Sequence, residues 1–161
     1  MLLFSKWYCD CVTDQGDAFI GYWARLRRGL ASVPYAATIW KPAAKPAVEQ
    51  RTLRRTTAPV STSGGLHWNC RRLGLRATWT LRAIPYSRTL LQTPDASIVW
   101  RCRFPCADAR VDLDGGNQLS GLGYAEQLDV ALKRMRMPFQ EIRWGRFLSA
   151  QDSITGPKCT A

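Results

Sequence analysis

Two stretches of the sequence bring together side chains able to move a proton or hold a polar ligand group. The first is Trp7-Tyr8-Cys9-Asp10. A carboxyl group buried beside aromatic rings is easier to keep neutral, which a proton donor requires. The same Asp exposed before a turn would have no such role. The second stretch runs from Gly121-Leu122-Gly123-Tyr124-Ala125-Glu126 to Ile142-Arg143-Trp144-Gly145-Arg146-Phe147. Here Glu126 can pair with Arg143 or Arg146. That pair is either a structural ion pair or a carboxylate and a guanidinium fixing a polar ligand group in an apolar cavity.

Other chemistries lack their residues. The sequence contains no G-x-x-x-x-G-K-[ST], no G-x-S-x-G and no H-E-x-x-H. Its one histidine, His67, has no neighbouring residue that suggests a partnered base. Gly121-Leu122-Gly123 lacks the third glycine of a dinucleotide site. The six cysteines are Cys9, Cys11, Cys70, Cys102, Cys106 and Cys159, and their spacings are not those of zinc sites. They read as small buried hydrophobes or as disulfides of an oxidising compartment. No metal or cofactor is expected.

The elements that must position these residues read as strands. Lys6 to Val12 alternates, with Trp7, Cys9 and Cys11 on one face and Tyr8, Asp10 and Val12 on the other. A turn at Asp14-Gln15-Gly16-Asp17 leads to a second strand over Ala18 to Arg27. Tyr35 to Trp40 is a third strand, and Gln50 to Thr57 a weak edge candidate. Leu66 to Arg71, Arg76 to Ala83, Arg88 to Gln92, Ser97 to Phe104 and Arg110 to Leu113 follow. In the Ser97 strand, Ile98, Trp100, Cys102 and Phe104 share a face opposite Arg101 and Arg103. Asp114-Gly115-Gly116-Asn117 is a strong hairpin turn. Tyr124 to Met135 fits both a helical stripe and a strand face. The expectation is one all-β domain over 1–147, with about eight or nine short strands in an antiparallel barrel, sandwich or strongly curved sheet, and an irregular tail over 148–161.

Composition agrees with a single packed domain. The chain has 161 residues, of which 46% are hydrophobic, so wholesale disorder is excluded, and no apolar run has the length of a membrane-spanning helix. Seven tryptophans are scattered over nearly the whole chain, as in a core or cavity lined from many segments. The net charge is +11, from 23 basic and 12 acidic residues. Eighteen of the basic residues are arginine and none forms a run of five. This is either GC-rich coding bias or a surface for polyanions. Arg76, Arg82, Arg101 and Arg103 sit opposite the tryptophans in their strands, which puts the charge on a solvated exterior.

The segments FSKWYCD-x₅-G-x₃-IGYWARL, VWRC-x₂-P, GLGYAEQL and MPFQEIRWGRF resemble the amino-terminal half of the hydroxyneurosporene synthase (carotenoid 1,2-hydratase)-like proteins. That group is related to the AttH-like proteins and has a lipocalin-like fold. The resemblance implies a tandem pair of barrel halves and a hydrophobic ligand. In the enzyme members it also implies hydration of an isoprenoid double bond, a hydro-lyase chemistry run through a tertiary cation. On the matching positions Asp10 and Glu126 are the acid candidates, and Trp7, Trp100 and Trp144 are wall residues. Tyr8, Tyr124, Arg143 and Arg146 complete the ligand-binding set. The chain ends within about 15 residues of Phe147, where the family continues into its second half.

The first expectation is therefore a domain that binds a hydrophobic, isoprenoid or lipid-like molecule. The alternatives are an active hydratase and a basic barrel that binds nucleic acid or an acidic membrane. A second copy of the chain or a second barrel half is the expected protein partner, and a membrane surface is a better-fitting macroscopic partner than nucleic acid. With no secretory signal pattern at its start, the chain is expected in the cytoplasm, with peripheral membrane contact.

Overall fold

A computed structural model of the chain describes residues 1–133 and, as backbone, 141–148 and 153–160. The elements in chain order are β1 (Leu2–Val12), β2 (Ala18–Arg28), β3 (Ala31–Lys41), β4 (Val48–Thr52), β5 (Val60–Ser61) and β6 (Gly65–Cys70). A 3₁₀ turn at Arg71–Leu73 precedes β7 (Leu75–Leu81), β8 (Tyr86–Gln92), β9 (Ala96–Leu113) and β10 (Asn117–Leu132). A separate hairpin joins β11 (Glu141–Leu148) to β12 (Ser153–Thr160).

The first ten strands form one antiparallel sheet that does not close, ordered β4-β3-β2-β1-β10-β9-β7-β6-β5. β8 lies off this path. It pairs with Ser97 to Cys102 of β9, while β7 pairs with Ala107 to Leu113 on the same edge. The fold is all-β, as the alternation predicts, and lipocalin-like, as the resemblance implies, but two strands are far longer than expected. β9 spans 18 residues and β10 spans 16. Gly115 and Gly116, at φ 87° and 80°, supply the turn that joins them.

Each face of β1 is buried. On the Trp7 face, Trp7, Cys9, Cys11, Phe19 and Trp23 pack with Trp68 of β6 and Trp79 of β7. Strands far apart in the sheet order meet here, so the sheet curls around this face. Close approach requires Gly21, where an added Cβ would come 2.5 Å from Cζ3 of Trp68. The Trp79 indole spans the curl and donates to the backbone carbonyl of Asp10 at 2.7 Å. On the opposite, Tyr8 face, Trp100, Cys102 and Tyr124 pack with Tyr8, Leu90 and Leu128.

Three features differ from the sequence reading. First, Phe104 does not share the face of Trp100. The register shifts twice: Gly123 lies opposite Ala107, Ala125 opposite Phe104, and Glu126 opposite Cys102. Each shift inserts one extra residue into β9, and each such bulge exchanges the faces. Phe104 thus joins the Trp7 core while Trp100 and Cys102 stay on the Tyr8 face. Secondly, Arg101 and Arg103 do lie opposite Trp100, but that is the Trp7 face, where both are half-buried rather than on a solvated exterior. Arg101 pairs with Asp129, and Arg103 donates to Gln127. Thirdly, Ser153–Thr160, expected to be irregular, is a strand because Glu141–Leu148 supplies its hydrogen-bonding partner. Tyr124 to Leu132, which fits two periods, is a strand because β1 and β9 flank it on both sides.

Candidate functional site

The site is a set of cross-strand rows on the Tyr8 face. Tyr22, Tyr8, Glu126, Cys102 and Tyr86 lie side by side across β2, β1, β10, β9 and β8. The next row carries Ala24, Lys6, Leu128, Trp100 and Arg88, and the row on the other side carries Ile20, Asp10 and Tyr124. Glu126 therefore sits at the crossing of five strands, with Tyr124 two residues before it on the same face.

Glu126 is 4% exposed and is met by donors. Trp100 Nε1 donates to Oε2 at 2.6 Å, and the Tyr124 hydroxyl donates to the same oxygen at 2.8 Å. Lys6 Nζ stands 3.7 Å from Oε1. An indole N–H and an ammonium can only donate, so this arrangement matches an ionised carboxylate. Asp10 is 2% exposed. It lies diagonally from Glu126 across β1 and β10, a separation of about 7–8 Å in a regular pair.

Aromatic rings wall the carboxylates. Tyr8 meets Tyr22 edge-on at 5.2 Å and Tyr124 at 6.1 Å, and Tyr86 meets Trp100 at 5.5 Å. The Lys6 ammonium lies 5.5 Å from the Tyr22 ring centre and 5.9 Å from that of Tyr8. Burial pushes the Tyr22 hydroxyl above the ordinary tyrosine range, with a smaller push from the Glu126 carboxylate. Burial also raises Tyr86, and Cys102 beside it adds to the shift. Cys9 and Cys11 lie behind the site on the Trp7 face. Burial holds Cys9 well above its ordinary value and pushes Cys11 up to about 12, with Asp10 reinforcing both. Neither thiol is a nucleophile at neutral pH.

The structure gathers Tyr8, Asp10, Trp100, Tyr124 and Glu126 of the sequence-predicted set. Trp7 lies on the other face, packed in the core at 6% exposure. Arg143, Trp144 and Arg146 fall in β11, and their side chains lie outside the described residues. Sequence reasoning missed Lys6, Tyr22, Tyr86 and Cys102. Their face can be read only once strand register is known. Among the described residues no group of three or more His, Cys, Asp or Glu side chains is placed to hold a metal ion. The described cysteines, Cys9, Cys11, Cys70, Cys102 and Cys106, are buried thiols.

A second feature lies on the Trp7 face, at the end away from β6 and β7. The core stops at Trp7 and Trp23, and a groove of about 470 Å³ opens beyond them. Its floor is two further cross-strand rows: Arg25, Ser5, Asp129 and Val99, then Arg27, Leu3, Ala131 and Ser97. One end of the curled face is thus filled and the other is open.

No protein-family model matches the chain, and no curated protein matches it. A crystal structure of a protein from Nitrosomonas europaea, provisionally designated AttH, is similar in fold, with a TM-score of 0.58 at 10% sequence identity. The similarity covers 90% of this chain and 56% of that one, so this chain spans little more than half the length of its structural neighbour. No helix among the described residues is long and apolar enough to cross a membrane. The chain has the lipocalin-like, AttH-like fold.

Proposed function

We propose that this chain binds a hydrophobic, isoprenoid or lipid-like molecule in the open groove of its curled sheet. The observation that carries the reading is the groove itself. Its volume of about 470 Å³ falls within the range typical of small-molecule sites, roughly 300–1,000 Å³. It lies beside a packed tryptophan core, with Leu3, Trp23, Val99 and Ala131 as apolar wall. The resemblance to carotenoid 1,2-hydratase-like sequences points to the same ligand class. A neutral isoprenoid such as farnesol should quench the intrinsic tryptophan fluorescence saturably, with little dependence on salt. The Trp23→Phe variant should lose most of that quenching. Binding of oligonucleotides that falls steeply with salt, with no response to farnesol, would favour the polyanion reading instead.

A second reading, hydration of an isoprenoid double bond, draws on the two buried carboxylates of the Tyr8 face. Glu126, surrounded by donors, suits the role of a fixed anion. Asp10 is then the proton donor. Its carboxyl proton adds to the C=C bond, and the tertiary cation formed is trapped by water. That water's proton returns to the Asp10 carboxylate. Tyr8, Tyr124 and Trp100 supply rings beside the cation. Incubation with lycopene or neurosporene should yield a 1-hydroxy product, and Asp10→Asn should abolish it. Unchanged turnover in that variant would remove Asp10 from the role.

A further inference from the structure

We infer that the groove takes an amphipathic anion, its head group seated on Arg25 and Arg27 and its apolar part along Leu3, Trp23 and Val99. This rests on the groove being the ligand site. Among the described residues three guanidinium groups line it, those of Arg25, Arg27 and Arg101. The only carboxylate among its described lining residues is Asp129, and that group is already engaged. It pairs with Arg101 and accepts from Ser5 Oγ at 2.7 Å and from Gln127 Nε2 at 3.1 and 3.2 Å.

Arg25 and Arg27 have no such counterpart. Neither forms an ion pair among the described residues. Their cross-strand neighbours are Ser5 and Pro34 for Arg25, and Leu3 and Ser32 for Arg27, all uncharged. Two residues apart on one strand, they project to the same face about 6.7 Å apart at the backbone. That spacing lets both guanidinium groups reach one carboxylate or phosphate. Arg25 is held in place over the Trp23 ring, 5.2 Å from its centre. Trp23 Nε1 is itself a buried donor with no hydrogen-bond partner among the described residues. Among its described lining residues the groove therefore holds two arginines without an acidic partner and no unpaired carboxylate, beside an apolar wall. A neutral hydrocarbon would leave the two arginines unanswered, whereas a head group bearing negative charge pairs with both.

The test compares three probes with one tail: oleate, oleyl phosphate and oleyl alcohol, each titrated below its micellar concentration by tryptophan fluorescence. At least one anion should bind about 10-fold or more tighter than the alcohol, the ratio expected of charge-assisted hydrogen bonds. The tighter of the two anions names the head group. The R25Q/R27Q double variant should erase the preference of the anions over the alcohol. R71Q/R72Q, which removes the same charge from a separate hollow lined by Arg71 and Arg72, should keep the preference. Equal affinity for all three probes would overturn the anionic head group and leave the hydrophobic-ligand reading standing. Binding of none would overturn both. A preference lost equally in R71Q/R72Q would assign it to net charge and overturn the site. The wild-type ratio is a complete readout by itself should the R25Q/R27Q chain not fold.

Discussion

Trp100 lies diagonally from Glu126 across the β9–β10 pair, with its indole Nε1 2.6 Å from Oε2 of the carboxylate. The contact fixes a nearly buried anion in the middle of a five-strand row. It also ties that anion to the one tryptophan of the described set that the bulges leave on the Tyr8 face.

Removing the indole donor should be costly. Trp100→Phe keeps an aromatic ring and loses a hydrogen bond to a charged group, worth about 1.5–3 kcal/mol. Urea denaturation should show an unfolding free energy lowered by that amount. Tyr124→Phe removes the second donor to the same oxygen, so the double variant should be non-additive. Independent effects in the double-mutant cycle would mean that the carboxylate does not couple them.

Trp79→Phe probes the other face. It loses a buried donation to the Asp10 carbonyl and leaves a cavity, so a loss of about 2–4 kcal/mol is expected. Trp79 donates to the Asp10 carbonyl and Trp100 to the Glu126 carboxylate, on opposite faces of the sheet. Their effects should add within about 0.5 kcal/mol, as chemical denaturation of the double variant would show.

Gly21→Ala tests the curl itself. The new Cβ would come 2.5 Å from the Trp68 ring, while the same change at Gly64 meets nothing within 4 Å. Overpacking typically costs about 1–3 kcal/mol. The expected result is a clearly lowered thermal midpoint for Gly21→Ala and a change within about 0.5 kcal/mol for Gly64→Ala.

The buried thiols make stability fall at alkaline pH. The folded Cys11 thiol titrates at about 12, whereas an unfolded cysteine titrates near ~8.5. A raised folded value means that the unfolded chain releases its proton first as pH rises. The contribution is full below about pH 8.5 and is lost progressively toward about 12. The urea midpoint should decline over that window, and less so in Cys11→Ala. Cys9 and Cys11 should also resist iodoacetamide at pH 8 until the chain is unfolded.

Much of this arrangement is legible in the sequence. Alternation in Lys6 to Val12 separates Trp7 and Cys9 from Tyr8 and Asp10, and the folded chain keeps that separation. Alternation fails where β9 bulges, because a bulge inserts a residue without any break in composition. Position relative to Trp100 therefore gives the right face for Arg101 and Arg103 but the wrong one for Phe104. Lys6 was invisible as a partner of Glu126 for a related reason: the two are 120 positions apart and meet only through the β1–β10 register. Strand faces are local information, whereas register is set by the whole sheet.

The main path of the open sheet ends at β5 and at β4, and each of these two ends is guarded by a different means. β5 is only two residues long and follows directly on Pro59. β4 presents Glu49 and Arg51 within five exposed or half-exposed residues. Short length, proline and charge all discourage another strand from docking on an edge. The lack of closure is thereby kept from becoming an invitation to stack. The curled face can stay open toward solvent at its groove end while its backbone rims remain poor templates for aggregation.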